Sequence, residues 1–204
     1  LKTNKVQVYN IPGNSYSYIN DLPMPLAMLG GGIYRDTIIT VGGYTTGGVS
    51  VANCYKGVIN PQTMNITWST LPSYPAGPIT RMASFVAVKN TGVGIMCTGG
   101  AVGGSVPTSQ THFWNFCLQA WQSGLPDNNQ ARSNYKACGK GYDVVYTVGG
   151  YLVNTNSNKT ESLTYNHIDG PCTNLVGIIN NNNIPAKFEL KQNYPNPFNP
   201  ETKI

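Results

Sequence analysis

The feature that most constrains this chain is a repeat. An apolar run closed by a glycine pair occurs three times, at Thr37-Ile38-Ile39-Thr40-Val41-Gly42-Gly43, at 93–100 ending in Gly99-Gly100, and at Val144-Val145-Tyr146-Thr147-Val148-Gly149-Gly150. A Leu-Pro pair also occurs three times, at Leu22-Pro23, Leu71-Pro72 and Leu125-Pro126, and an aromatic stands shortly before each: Tyr18, Trp68 and Trp121. Self-similarity at roughly fifty residues means that each unit is one supersecondary motif, which buries its apolar faces only against its neighbours. Composition says which motif. Only 10% of residues are charged, against about a quarter in ordinary domains. Glycine, tyrosine and β-branched residues fill the space, which favours short strands and tight turns.

In detail the units resemble kelch repeats, which form the four-stranded antiparallel blades of a β-propeller. On that resemblance the first strand follows the Leu-Pro pair: Leu26–Leu29, Arg81–Val88 and Ala131–Cys138, with Arg132 in the family's Ala-Arg-Ser pattern and Arg81 taken as its counterpart. The second strand is the apolar run. It is expected near the propeller axis and buried on both faces, because it does not alternate. The third carries an aromatic (Tyr9, Tyr55, Trp114 or Phe116, and Tyr165), and the fourth carries the tryptophan slot. Glycine pairs supply positive φ and let neighbouring blades approach. Large rings between blades bury the most area. These positions (Gly42, Gly43, Tyr55, Trp68, Gly99, Gly100, Trp114, Trp121, Arg132, Gly149, Gly150, Tyr165) are therefore read as structural.

The blades are expected as follows. Residues 1–23 supply two strands of one, 24–73 and 74–127 supply two whole blades, and 128–168 supply three strands of another, with a fourth strand in Cys172–Ile179. That makes three to four blades, where propellers close with about four to eight. The expectation is an all-β chain, a partial kelch-type propeller over 1–179, whose remaining blades lie in sequence before Leu1.

The end of the chain carries a second signal. The run Asn193-Tyr194-Pro195-Asn196-Pro197-Phe198-Asn199-Pro200 follows an asparagine-rich linker at 180–186. Alternating prolines force their neighbours into extended conformations and exclude helix and central strand. The segment 187–204 is similar to the opening of the C-terminal sorting domain of cargo of the bacterial type IX secretion system, a small β-sandwich that would here be truncated. The resemblance implies export through that machinery and a location outside the cell or on its outer surface.

Residues that carry chemistry are few. Two histidines, His112 and His167, are read as surface positions, and the acids Asp21, Asp36, Asp127, Asp143, Glu161 and Asp169 as turn formers. No metal-ligand spacing, nucleophile elbow or phosphate loop is present, so no catalytic, metal or cofactor residue is expected. The net charge of +5 comes from scattered lysines, unlike the gathered basic face of a nucleic-acid binder. No apolar stretch reaches the roughly 18 residues of a membrane span. The five cysteines are read as small buried hydrophobes. If two are bonded, Cys97 and Cys117 are the best placed. The loops after the glycine pairs, Tyr44–Ser50, Ala101–Gln110 and Tyr151–Lys159, should crowd one face and offer hydroxyls, amides and tyrosines to a glycan or protein ligand. The expected role is a non-catalytic binding or scaffold module. The alternatives are part of a galactose-oxidase-like or glycan-processing enzyme, or a structural adhesin or surface-layer component.

Overall fold

The computed structural model describes residues 2–89, 92–140 and 144–164. All belong to one compact unit, Leu1–Thr173; the second unit, Asn174–Ile204, lies outside the described residues. So do Tyr165, His167, Cys172 and the whole sorting motif.

Every described element is a strand. Blade I is a hairpin of β1 (Val6–Asn10) and β2 (Ser15–Ile19). A short lead-in strand, β3 (Leu26–Ala27), precedes blade II, which comprises β4 (Gly30–Tyr34), β5 (Thr37–Val41), β7 (Cys54–Ile59) and β8 (Ile66–Leu71). The strand β6 (Tyr44–Thr45) lies in the loop between β5 and β7 and pairs with β3. Blade III repeats the plan. Its lead-in is β9 (Ile79–Thr80), its four strands are β10 (Ala83–Lys89), β11 (Gly92–Thr98), β14 (Thr111–Asn115) and β15 (Ala120–Gln122), and its loop holds β12 (Ala101–Val102) and β13 (Val106–Pro107). Blade IV contributes β16 (Lys136–Lys140), β17 (Val144–Val148) and β18 (Thr160–Thr164). The strands in each blade pair in sequence order as an antiparallel meander. The result is a partial propeller-like β fold.

The first strands, not the second, are innermost: β10 packs against β4 on one side and β16 on the other. Glycine makes the approach possible. Ser84 Oγ accepts a hydrogen bond from Gly31 N and donates one to Gly31 O, both at 2.7 Å. A Cβ on Gly32 would stand 3.0 Å from Ile95 Cδ1. Second strands are buried where a blade lies on each side of them. All seven residues of β11 are buried. In β17 burial alternates, with Tyr146 and Val148 exposed.

Three apolar clusters fill the gaps between blades. Val6 meets Tyr55 and Trp68 between blades I and II. Ile39, Val41 and Cys54 meet Ile95, Cys97 and Trp114 between II and III. Phe85, Met96 and Phe113 meet Val145 between III and IV.

The register corrects two sequence expectations. Cross-strand pairs Thr40–Tyr55, Cys97–His112 and Thr147–Glu161 occupy the same place in successive blades, so Tyr55 corresponds to His112, not to Trp114. Trp114 corresponds to Gly57, and the two tryptophan slots do align: Trp68 pairs with Gly57, and Trp121 with Trp114. The Trp68 ring lies over Gly57, where a Cβ would come within 2.6 Å of it. Trp121 instead meets the Trp114 ring edge-on at 5.4 Å. Finally, Arg81 is not the counterpart of Arg132. Gly43 N donates to Ile79 O as Gly100 N donates to Arg132 O, so Arg132 stands where blade III has Ile79.

Candidate binding face

Each lead-in segment is followed by one non-glycine residue in the left-handed region: Met28 at φ 57°, Arg81 at 59° and Asn134 at 54°. Asparagine takes this conformation readily, while methionine and arginine are held there by their surroundings. The three are linked by backbone hydrogen bonds, Arg81 N to Met28 O at 2.9 Å and Asn134 N to Arg81 O at 3.0 Å. This relay ties three blades together on one face.

The glycine pairs receive the next blade's lead-in. Gly42 and Gly99 have φ of 62° and 59°. A Cβ on Gly42 would lie 2.3 Å from Ile79 O, and one on Gly99 2.2 Å from Tyr135 Oη. Only glycine fits, both in conformation and in space. In blade IV, Gly149 and Gly150 have the same pair of conformations, at 68° and 116°.

The loops that follow the pairs touch the relay. Arg81 Nη1 donates to Gly104 O at 3.1 Å, and Gly103 N to Pro78 O at 2.9 Å. A Cβ on Gly104 would meet the Tyr44 ring at 3.1 Å, so adjacent loops are packed together. Arg132 N donates to Thr108 O, and Tyr151 bridges Ser133 and Asn156. Lys2 Nζ stands 4.6 Å from the centre of the Tyr44 ring. None of the three loops contains an Asp or Glu. The face thus combines tyrosine, hydroxyl and amide groups with the cations Lys2 and Arg81.

Beneath it lies Arg132, fully buried. Its Nη1 donates to Gly149 O at 3.0 Å and Lys159 O at 2.9 Å, its Nη2 to Thr147 Oγ1 at 2.6 Å, and it pairs with Glu161 Oε1 at 3.0 Å. Its guanidinium also sits 4.9 Å from the centre of the Tyr135 ring. Glu161, expected at a turn, therefore belongs to strand β18, and its other oxygen accepts Asn129 N at 2.7 Å. A cleft of about 170 Å³ beside this pair is walled by Asp127, Asn128, Thr98 and Thr147. Its walls bond to one another: Asn128 Nδ2 donates to Thr98 Oγ1 and Tyr135 Oη, and Asp127 Oδ1 accepts Thr111 N.

His112, expected on the surface, is buried in β14. Its Nδ1 is 3.0 Å from Ser123 Oγ and its ring meets Tyr74 edge-on at 5.0 Å. Burial holds its pKa below the ordinary value, and the Asp127 carboxylate opposes this in part. Cys54 and Cys97 are buried free thiols. Burial pushes Cys54 up to about 12, and Cys97 is also raised by burial and by Cys54. The Cys97–Cys117 bond is excluded: Cys117 is disulfide-bonded, while Cys54, Cys97 and Cys138 are free, so its partner lies outside the described residues. Cys138, expected to be buried, is exposed. Among the described residues no cluster of three His, Cys, Asp or Glu could hold a metal ion, and no helix is long and apolar enough to cross a membrane.

No protein-family model matches the chain, and no curated protein sequence does. Solved structures do match. The structure of YjhT aligns with a TM-score of 0.61 and 14% identity, covering 79% of this chain and 52% of that one. The likeness is one of fold. The chain spans about half the length of the YjhT chain.

Proposed function

We propose that the chain is part of an exported kelch-type propeller that binds a glycan or protein ligand, without catalysis, through the face built from its post-glycine loops. One observation carries the reading. The loops and relay residues of successive blades meet on a single face, where Arg81 donates to Gly104 O and Gly104 lies against the Tyr44 ring. Loops held on a rigid scaffold are the usual place for recognition. The fold likeness to YjhT, a kelch-type protein, supports the repeat class. Export rests on the motif Asn193–Pro200 alone.

Screening the chain against a glycan array and against surface proteins of a type IX-secreting bacterium tests the binding role. Tyr44→Ala and Arg81→Ala should each reduce binding about tenfold or more. Binding indifferent to both, or none at all, would sink it. For export, deleting residues 187–204 should retain the protein inside such a host. Equal release with and without them removes the secretion reading.

A further inference from the structure

We infer that the ligand of the loop face is a polyanionic polysaccharide, with a carboxylate or sulfate on successive sugars, an inference that rests on the binding role proposed above. The charge balance of the face carries it. Arg81 and Lys2 stand at the two ends of one contact between loops. Arg81 Nη1 donates to Gly104 O at 3.1 Å, Gly104 lies against the Tyr44 ring, and Lys2 Nζ stands 4.6 Å from the centre of that ring. The four described acids are engaged elsewhere. Asp21 pairs with Lys5, and Glu161 with Arg132. Asp127 accepts Thr111 N. Asp36 sits in the turn between β4 and β5, at the end of the blade opposite the glycine pair. Among the described residues, then, no carboxylate pairs with Arg81 or Lys2. Cations left uncompensated on one face draw an anionic ligand to it.

The Arg81 guanidinium is also held in place. Its Nε lies 3.3 Å from Met28 Sδ and its Nη1 is fixed by Gly104 O, while Nη2 bonds to no described residue. The planar fork is thereby oriented with one edge left for an oxyanion. Its backbone adds a second sign. Arg81 sits in the left-handed region at φ 59°, where blade IV has Asn134. Asparagine holds that conformation with less strain, so the arginine is there for its side chain; strain of this kind gathers at ligand clamps. Lys2 supplies a point charge on a flexible stem. Two separated cations with the half-buried Tyr44 between them match a chain of repeated anions better than one charged sugar or a neutral glycan.

Polygalacturonate and its methyl ester are one chain with and without its charge; dextran sulfate and dextran form the matching sulfate arm. In biolayer interferometry the 204-residue chain should bind a polyanion, and bind its uncharged counterpart about tenfold or more weakly. Raising salt from about 0.1 M to 1 M should remove most of the binding, as the screening length falls from about 10 Å to about 3 Å. Arg81→Gln and Lys2→Gln should each weaken the polyanion about tenfold. Lys2 precedes the first strand, so its variant probes the face without touching a blade, and Arg81→Lys, which keeps the charge and loses the fork, should fall between wild type and Arg81→Gln. Equal binding of the charged and uncharged members of both pairs overturns the inference. So does polyanion binding that Lys2→Gln leaves unchanged, or equal binding of poly-glutamate, which would make any polyanion a ligand. A neutral glycan or a protein bound through Tyr44 without charge preference overturns this inference and leaves the binding role standing; no binding to any ligand overturns both.

Discussion

The junctions on the two sides of blade III share a backbone and differ in chemistry. Between blades II and III the lead-in position is Ile79, surrounded by Cys97, Trp114 and Tyr74. Between III and IV it is Arg132, held by two carbonyls, Thr147 and Glu161. In both, the second glycine of the pair donates its N–H to the lead-in carbonyl, Gly43 to Ile79 O and Gly100 to Arg132 O. The latch is therefore made by the main chain, and what fills the junction is a separate choice. The two fillings fail differently. An apolar junction loses stability in proportion to the volume removed. A buried ion pair is close to neutral while intact and costly when one partner goes.

The sharpest test of the difference is Arg132→Ala. It strands Glu161 and three oxygen acceptors, and should cost about 3–5 kcal/mol in urea unfolding. Replacing both partners, Arg132→Ile with Glu161→Gln, should recover most of that loss by recreating the Ile79 junction. If the double variant is no more stable than the single one, the two junctions are not interchangeable.

The shared latch comes next. Gly42→Ala and Gly99→Ala should each cost about 1–3 kcal/mol, since each imposes positive φ on an L-residue and drives a Cβ into a neighbouring atom. Similar losses at the two sites would support a common latch. A loss at one only would break the comparison.

Ile79→Val removes one methylene from the apolar junction and should cost about 1 kcal/mol, read as a small shift of the urea midpoint.

The smallest effect is that of pH on His112, which belongs to the apolar junction. Its folded pKa lies below the ordinary 6.5 because burial disfavours the charged ring. The unfolded chain therefore takes up the proton first. The contribution of this group is intact above about 6.5 and falls as pH drops below it. His112→Gln should flatten the fall in stability below about pH 6.5; an unchanged slope would place the titration elsewhere.

Much of the fold could be read from the chain. The glycine pairs, the Leu-Pro pairs and the spacing of Trp68 and Trp121 give the period, the strand order and the division into blades. Register was harder. Tyr55 and Trp114 look equivalent as aromatics, but a strand alternates faces with every residue, and a shift of two positions in sequence is invisible without the pairing. Arg132 and Arg81 were matched because both precede a serine by a short step. The hydrogen bonds of Gly43 and Gly100 show that Ile79, not Arg81, is the counterpart. His112 and Glu161 read as surface and turn residues because both types are usually exposed; their burial depends on the blades that cover them.

By itself the sequence determined the repeat: its period, where glycine is obligatory, and which residues are large enough to fill a gap between sheets. These follow from local sterics and from the period of apolar residues, which a chain carries along its length. The first strand of blade II, expected at Leu26–Leu29, lies instead at Gly30–Tyr34. Only the tertiary structure decided which strand is innermost, and that Arg132 lies buried in a place where blade III has the aliphatic Ile79. Each of these depends on what lies on the far side of a blade, and that neighbour is some fifty residues away in the chain.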